Sequence, residues 1–458
     1  MDHTLQLGFP LWIRLAHFFN FLFITLLIRS GIEIIGAHPK FYWRDDALPG
    51  SEWIRFTRKR IPKDPNWTAE DEIEAMSPWT ALPGHNNLGL GRHWHFWALN
   101  GWLLAGLIYV VLLFTTPQWR RLVPTSWEIF PTAWQAIVAY AHFRLPPNGN
   151  PFNGIQQLTY FFVIFILSPF QIVTGIMMSP ALAARFPWFP RILGGRQAAR
   201  SLHFIGLIIF VGFIVIHVIF VVAHGFTLEM AKIVLGGESH SHAIAVTIGL
   251  IGIAGVIAFH FLGTWYSLAF PFRAKRLLEL GVDPLRQFLF HHLDSRQNYK
   301  HVSRKNLDLS LNDLRQMPRQ TQTTLHCCIQ GWSYFAQWAG VPLSAIMDKC
   351  DLLPNARFLV FYTLDEKWEK PGHGYYYEVI DLEIARLSQT ILAYEMNHQP
   401  LPIPHGAPLR LRVENQLGYK MAKWINRLEF VDSFKHIGEG QGGWRDDVLH
   451  YYPSDAGI

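Results

Sequence analysis

The chain has 458 residues, of which 50% are hydrophobic and only 16% charged, with a formal net charge of +6. So little charge excludes an ordinary soluble domain of this length. The basic excess flanks apolar runs and accompanies no nucleic-acid motif, which excludes a nucleic-acid binder and follows the membrane pattern.

In chain order, five apolar segments come first, at about 15–35, 96–114, 158–178, 204–223 and 243–270. Each is near the 20 residues that span a bilayer. The stretch before the first is not basic and the run lacks a small-residue cleavage site, so it reads as a retained helix. Arg29 and Glu33 lie four apart within it and are predicted to pair on one helix face. Pro169 predicts a kink in the third segment. His260, in the fifth, reads as a structural histidine bonded to a neighbouring helix. The polar connection 36–92 carries Trp43, Trp53, Trp67 and Trp79 and is predicted to cap the membrane surface.

Beyond residue 270, Arg273, Lys275 and Arg276 stop transfer. A linker occupies 271–305, and a compact domain follows at 306–458. Alternation at 356–362 and 409–413 predicts strands, and helical periods appear at 343–349 and 382–387. The expected fold is an all-α transmembrane bundle of about five helices (residues 1–270) followed by a β-rich α+β domain. Cys327, Cys328 and Cys350 are too few and odd in number for a disulfide framework. The first and third loops, on the side of the C-terminal domain, hold more Lys and Arg than the second and fourth. The positive-inside rule therefore predicts a multi-pass protein of the bacterial inner membrane with that domain in the cytoplasm.

Four histidines stand in or at the mouths of the apolar helices. His203 and His217 share one helix fourteen residues apart, which is about 21 Å along the axis and about 40° off a common face. By depth, His17 pairs with His217 and His95 with His203. Such imidazoles can be separate core histidines or axial haem ligands, and matched depth in two pairs favours haem. No CxxCH occurs, so a haem here is b-type. His93 is the rival of His95, and His224 reads as interfacial.

Residues 9–225 resemble the di-haem cytochrome b subunits of nickel–iron hydrogenases and respiratory formate dehydrogenases. The resemblance lies in WIRLAHFFNF, GRHWHFWALNGWLLAGLIY and the fourteen-residue His spacing. It implies His17, His95, His203 and His217 as axial ligands of two haem b groups and electron exchange with membrane quinone. The longer first loop and the fifth helix depart from the pattern. So does sidedness, because those subunits usually keep a cytoplasmic N-terminus.

The segment TTLHCCIQGWSYFAQWAGVPL sets a cysteine before a Gly-Trp-Ser turn. It suits a buried thiol or a thiolate ligand to a soft or high-valent metal. Further on, Asn397, His405, Arg410, Arg412, Lys420 and Lys423 gather around Gly406 and Gly418. That set suits a phosphate-bearing ligand or a solvated charged face. Residues 306–445 resemble the molybdopterin-binding domain of the sulfite oxidase family, through CIQGWS, LAYEMN with HGAPLRL, and LGYK-x-x-KW. The resemblance implies Cys328 as molybdenum ligand, pterin-phosphate contacts from His405, Arg410, Lys420 and Lys423, and Tyr376 as an active-site tyrosine. Ile-Gln-Gly-Trp-Ser replaces the Gly-Asn-Arg type stretch of sulfite oxidases and is closer to periplasmic methionine sulfoxide reductases. Residues 281–305 replace the usual start of the domain, where His291, His292, Asn298 and His301 are candidates to compensate.

Together these imply a membrane-bound molybdenum oxidoreductase. It would pass electrons between a molybdopterin site and the quinone pool through two haems, acting on a small S- or N-oxide or a sulfite-like oxyanion. The alternative is a non-catalytic electron-transfer subunit with a degenerate molybdenum domain. Either is compatible with a homodimer or a larger respiratory complex.

Overall fold

The computed structural model describes residues 8–48, 50–59, 72–146, 152–179, 182, 186, 188–238, 240–290, 307–366, 374–451 and 456. Trp67, His291, His292, Asn298 and His301 lie outside them. Five helices are long and apolar enough to cross a membrane: α1 (Leu11–Ala37), α2 (Leu88–Thr115), α4 (Gly154–Met177), α5 (Arg196–Ala223) and α6 (His242–Ala269). A short helix, α3 (Ile129–Ala141), precedes α4, and α7 (Pro271–Phe290) follows α6.

The spans begin earlier than the apolar runs, and polar side chains cap several of the starts, Asn87 on α2, Asn153 on α4 and Ser241 on α6. Asn153 and Gln156 form a capping box on α4. Asp45, from the first loop, accepts the backbone N–H of Gln197 at 2.8 Å and of Arg196 at 3.2 Å, neutralising the exposed donors that open α5. In α4 the predicted irregularity is a π-helical stretch, Val163–Leu167, just ahead of Pro169. There Ser168 Oγ donates to Val163 O at 2.8 Å, taking up a carbonyl near the break.

α3 has no counterpart in the sequence expectation. Ala133 and Ala136 are buried, while Phe130 and Trp134 are exposed. An apolar face turned outward beside spanning helices suits the bilayer interface.

Arg29 and Glu33 do not pair, a correction to the expectation. Arg29 is taken by the carbonyls of Pro78 and Ala81, both at 2.6 Å, and by Thr264 Oγ1 at 3.0 Å. Glu33 Oε1 instead accepts from the backbone N–H of Asn87 at 2.5 Å. Fixed backbone partners in the first loop outcompete a one-turn ion pair, which is worth only about 0.5 kcal/mol.

The first loop does fold onto the helices. Its hairpin, β1 (Lys40–Phe41) with β2 (Ile54–Arg55), lies on the start of α5. Trp53 Nε1 donates to Ser201 Oγ at 2.9 Å, and Arg200 donates to the carbonyls of Lys40 (2.6 Å) and His38.

The C-terminal domain holds two antiparallel sheets. One joins β3 (Gln320–Cys327), β4 (Ser333–Pro342), β7 (Ile391–Met396) and β8 (Gln399–Pro400), with β9 (Arg410–Arg412) also pairing β7, at its residues 391–393. The second is β10 (Ile425–Val431), β5 (Phe358–Glu366) and β6 (Tyr375–Asp381). Val341, Phe361, Val379, Leu392 and Leu411 fill the core between them.

This domain sits on the membrane end that carries His95 and His203. Ala37 and Leu88 join Cys327, Ile329, Leu417 and Tyr451 in one apolar cluster. Lys275 Nζ donates to Tyr451 O at 2.5 Å. The C-terminal segment crosses α2 so closely at Gly89 that an added Cβ would stand 2.3 Å from Leu449 O, so only glycine fits.

Candidate functional site

The histidines of the bundle separate by whether a ring nitrogen is left to bind metal. A neutral imidazole offers one donor and one acceptor. His260 has Nδ1 against Arg29 Nη1 at 3.1 Å and Nε2 against Thr25 Oγ1 at 2.9 Å, so both are committed. His93 has Nδ1 on Gly89 O at 2.8 Å and Nε2 at 3.4 Å from Glu279 Oε1, which removes it as the rival of His95. His224 has Nδ1 on Phe220 O at 2.8 Å and Nε2 on Tyr140 Oη at 3.1 Å.

The four sequence candidates behave differently. His17 and His217 face each other with ring centroids 6.3 Å apart. Metal–imidazole bonds of roughly 2 Å, plus about 1.1 Å from each nitrogen to its ring centre, place two axial rings roughly 6 Å apart. The pair therefore fits a haem iron between its rings. His95 and His203 lie close enough to interact electrostatically. Their Nδ1 atoms lie 3.0 Å from Ser30 Oγ and Thr174 Oγ1 respectively, and no hydrogen bond among the described residues takes either Nε2.

In the C-terminal domain, β3 ends at Cys327, and Cys328 opens the turn that follows it. Cys327 is buried against the membrane domain, while Cys328 retains accessible surface. The turn after Cys328 is closed by Cys328 N–H to Trp332 O at 2.9 Å and Gly331 N–H to Cys328 O at 3.1 Å, with Gly331 at φ +99°. Gln330 Oε1 accepts from Trp332 Nε1 at 2.8 Å and stands 3.7 Å from Cys328 Sγ. Burial pushes the Cys328 thiol up to about 12; a bound cation would take it as thiolate.

This turn rests on the two helices that carry His95 and His203. Arg92 Nη1 donates to Ile329 O, and Gln197 Nε2 to Gly331 O, each at 3.4 Å. Arg92 is one turn before His95, and Gln197 under two turns before His203. The Cys328 turn is thus wired by backbone to the start of both ligand-bearing helices.

Around His326, two residues before Cys328, the structure assembles a basic wall. Arg410 and Arg412 stack over Trp338 at 4.7 and 4.4 Å. Arg410 Nη1 donates to His405 O at 2.9 Å, and Lys423 Nζ to Pro404 O at 3.1 Å. Gly406, at φ +111°, lets this wall close, since an added Cβ would stand 2.9 Å from Lys423 Cβ. Arg410 Nε is buried with no partner among the described residues. An unmatched buried guanidinium donor beside three further basic groups fits an anionic, phosphate-bearing ligand.

His326 was not singled out from sequence. Arg412 Nη1 lies 2.7 Å from its Nδ1, and its ring lies 5.5 and 4.8 Å from those of Trp332 and Tyr334. Burial, and then the charges of Arg412, Arg410 and Lys423, hold it well below the ordinary imidazole range, so it is neutral. The signal was available: in a strand, residues 326 and 328 share a face.

Lys420 and Tyr376 lie elsewhere. Lys420 Nζ is enclosed by Asp446 Oδ2 (2.5 Å), Glu378 Oε2 (2.9 Å) and Gly442 O (3.1 Å). The Tyr376 hydroxyl meets Glu378 Oε1 at 2.7 Å and Tyr419 O at 2.6 Å. Both belong to a buried charge cluster. Burial pushes the Glu378 and Asp446 carboxyls up, against the pull of Lys420 between them.

Residues 8–236, half of the chain, match the family described as prokaryotic cytochrome b561. Residues 298–436 match the oxidoreductase molybdopterin binding domain. A putative protein-methionine-sulfoxide reductase subunit, YedZ1, of Azospira oryzae is 30% identical over 143 residues, covering 31% of this chain and 49% of that protein. The protein-methionine-sulfoxide reductase catalytic subunit MsrP of Xanthomonas campestris is 34% identical over 137 residues, 29% of this chain and 40% of its own. That of Ralstonia nicotianae is 32% identical over 129 residues, 27% and 39%. The chain thus spans half or less of the length of these relatives.

Proposed function

The chain belongs to the prokaryotic cytochrome b561 family, and from that premise we propose that it couples membrane quinol to reduction of a sulfoxide at a molybdenum centre. Methionine sulfoxide is the substrate class. The observation that carries this reading is the seating of the Cys328 turn on Arg92 and Gln197, at the heads of the helices bearing His95 and His203. A membrane electron carrier and a thiolate metal site are joined within one chain. The relatives' names supply the substrate class.

Two b-type haems are held in this reading, one by His95 and His203 and one by His17 and His217. Molybdenum on Cys328 would supply oxygen-atom transfer, which no side chain performs. The residues do the rest. Arg410, Lys423 and His405 hold the pterin phosphate, and Arg412 is braced by His326. Gln330 and Trp332 fix the turn that orients Cys328. The overall reaction breaks one S=O bond: two electrons from the quinol and two protons turn the sulfoxide into thioether and water. Lys420 is assigned to the stability of the C-terminal domain, through Glu378 and Asp446, and Tyr376 to the same cluster.

The exposed Arg58 and Arg191 on the molybdenum side support a cytoplasmic position for that domain. Lys40, Arg55, Lys59 and Arg200 add nothing to that count, because carboxylates or backbone carbonyls engage them.

The test uses the full chain in quinone-containing vesicles. Quinol-reduced haem bands should be reoxidised by methionine sulfoxide, and oxidised bands should not respond to sulfite. Reduction by sulfite with no response to sulfoxide would overturn the reading.

A further inference from the structure

Ser30 and Thr174 occupy equivalent places on opposite sides of the His95–His203 pair. Ser30 is on α1 and reaches His95 of α2; Thr174 is on α4 and reaches His203 of α5. Each hydroxyl is followed by a glycine beside the same ring. A Cβ added at Gly31 would stand 4.0 Å from Cε1 of His95, and at Gly175 3.5 Å from Cε1 of His203. A hydroxyl-glycine pair thus grips each imidazole at its Nδ1–Cε1 edge.

The direction of these hydrogen bonds can be deduced. A hydroxyl has one hydrogen and two lone pairs. Ser30 Oγ lies 2.8 Å from Leu26 O and 3.2 Å from Leu27 O. Thr174 Oγ1 lies 2.8 Å from Phe170 O and 3.2 Å from Gln171 O. Carbonyls cannot donate, so each hydroxyl hydrogen is spent on its own helix. Toward the ring, the oxygen can then only accept. Nδ1 must carry the proton, and the lone pair is on Nε2.

We propose that Ser30 and Thr174 are the positioning residues of the haem nearer the Cys328 turn. By accepting Nδ1–H from His95 and His203, they lock both rings in the one tautomer whose Nε2 can bind iron. The proposal rests on the two-haem reading above. Such outer partners orient the ligand and raise its basicity. A more basic imidazole favours the oxidised iron, so the two hydroxyls lower this haem's potential. No hydrogen bond to a ring nitrogen of His17 or His217 occurs among the described residues, so the second pair has no such lock. The two haems are therefore distinct by construction, and only one should respond to these hydroxyls.

The experiment compares full-length Ser30→Ala, Thr174→Val and the double variant with wild type, by haem content, redox titration and low-temperature EPR of the ferric haems. The expected result is a tenfold or greater loss of affinity for one haem, or an upward potential shift and altered EPR signal in that component alone. The second haem keeps its wild-type behaviour and reports that the bundle has folded. Ser30→Thr and Thr174→Ser should restore the wild-type signature. Two haems with unchanged potentials and EPR signals in the double variant would overturn the proposal, as would parallel changes in both. His95→Ala is the separate control: if it still binds two haems, the ligand assignment itself has failed.

Discussion

Arg92 and Ile329 share one hydrogen bond, from Nη1 to the carbonyl at 3.4 Å, which ties the residue one turn before His95 to the residue directly after Cys328. In the proposed function, electrons cross between the two domains at this contact.

Arg92→Ala should therefore weaken that junction selectively. At 3.4 Å the bond is long, so its loss is worth about 0.5–1.5 kcal/mol, a change of roughly two- to tenfold in the docked population. Haem and molybdenum contents should be unchanged. Stopped-flow reoxidation of reduced haem by methionine sulfoxide should slow. An unchanged rate would show that the remaining contacts, Gln197 and the apolar cluster with Ala37 and Leu88, keep the turn seated.

Cys328→Ser should abolish molybdenum retention and the haem response to sulfoxide while leaving the haem spectrum intact. A Cys327→Ser variant serves as comparison, because Cys327 faces the apolar cluster with Ala37 and Leu88. It should keep its metal, measured by elemental analysis of the purified chain.

Lys420→Met should destabilise the molybdenum domain by about 3–5 kcal/mol, since it leaves the carboxylates of Glu378 and Asp446 without their cation. Denaturant unfolding followed by tryptophan fluorescence should show it, with haem absorbance as the unaffected reference. A pure pterin-contact role for Lys420 would instead lower metal content and leave unfolding unchanged.

The same cluster predicts a pH effect with a definite sign. Glu378 is raised by burial to about 8. Between the ordinary carboxylate range and about 8, the folded state holds a proton that the unfolded chain releases. Stability from this group is thus greatest on the acid side and is lost as pH rises toward 8. Glu378→Gln, which imitates the protonated form, should be less sensitive than wild type between pH 6 and 8. The difference between the two isolates Glu378 from every other titrating group.

Helix α5 should be sensitive to a residue far away in sequence. Asp45→Ala removes the carboxylate on the N–H groups of Arg196 and Gln197, at a cost of about 1 kcal/mol. Thermal retention of the His95–His203 haem should fall before that of the other.

Much of this protein was legible from residue order alone. Five spans, a β-rich second domain and two depth-matched histidine pairs follow from hydropathy and helical spacing, because lipid forces backbone groups to pair within each helix. Cys328 and the basic run around Gly406 stood out as candidates because a metal and a phosphate constrain residue type, and their roles belong to the proposed function.

What residue order left open was every choice between equivalent partners. His93 and His95 differ by two positions and have the same side chain; only the packing of α2 gives one to Glu279 and the other to Ser30. Arg29 and Glu33 have the right spacing to pair, yet loop carbonyls and Asn87 claim them. Lys420 and Arg410 are both cations near a glycine, but only Lys420 lies between two buried carboxylates. Spacing within one helix or strand is a local property and was settled by the sequence itself. Which of several like groups is desolvated, and beside whom, depends on contacts between segments hundreds of residues apart, and only the tertiary structure decided it.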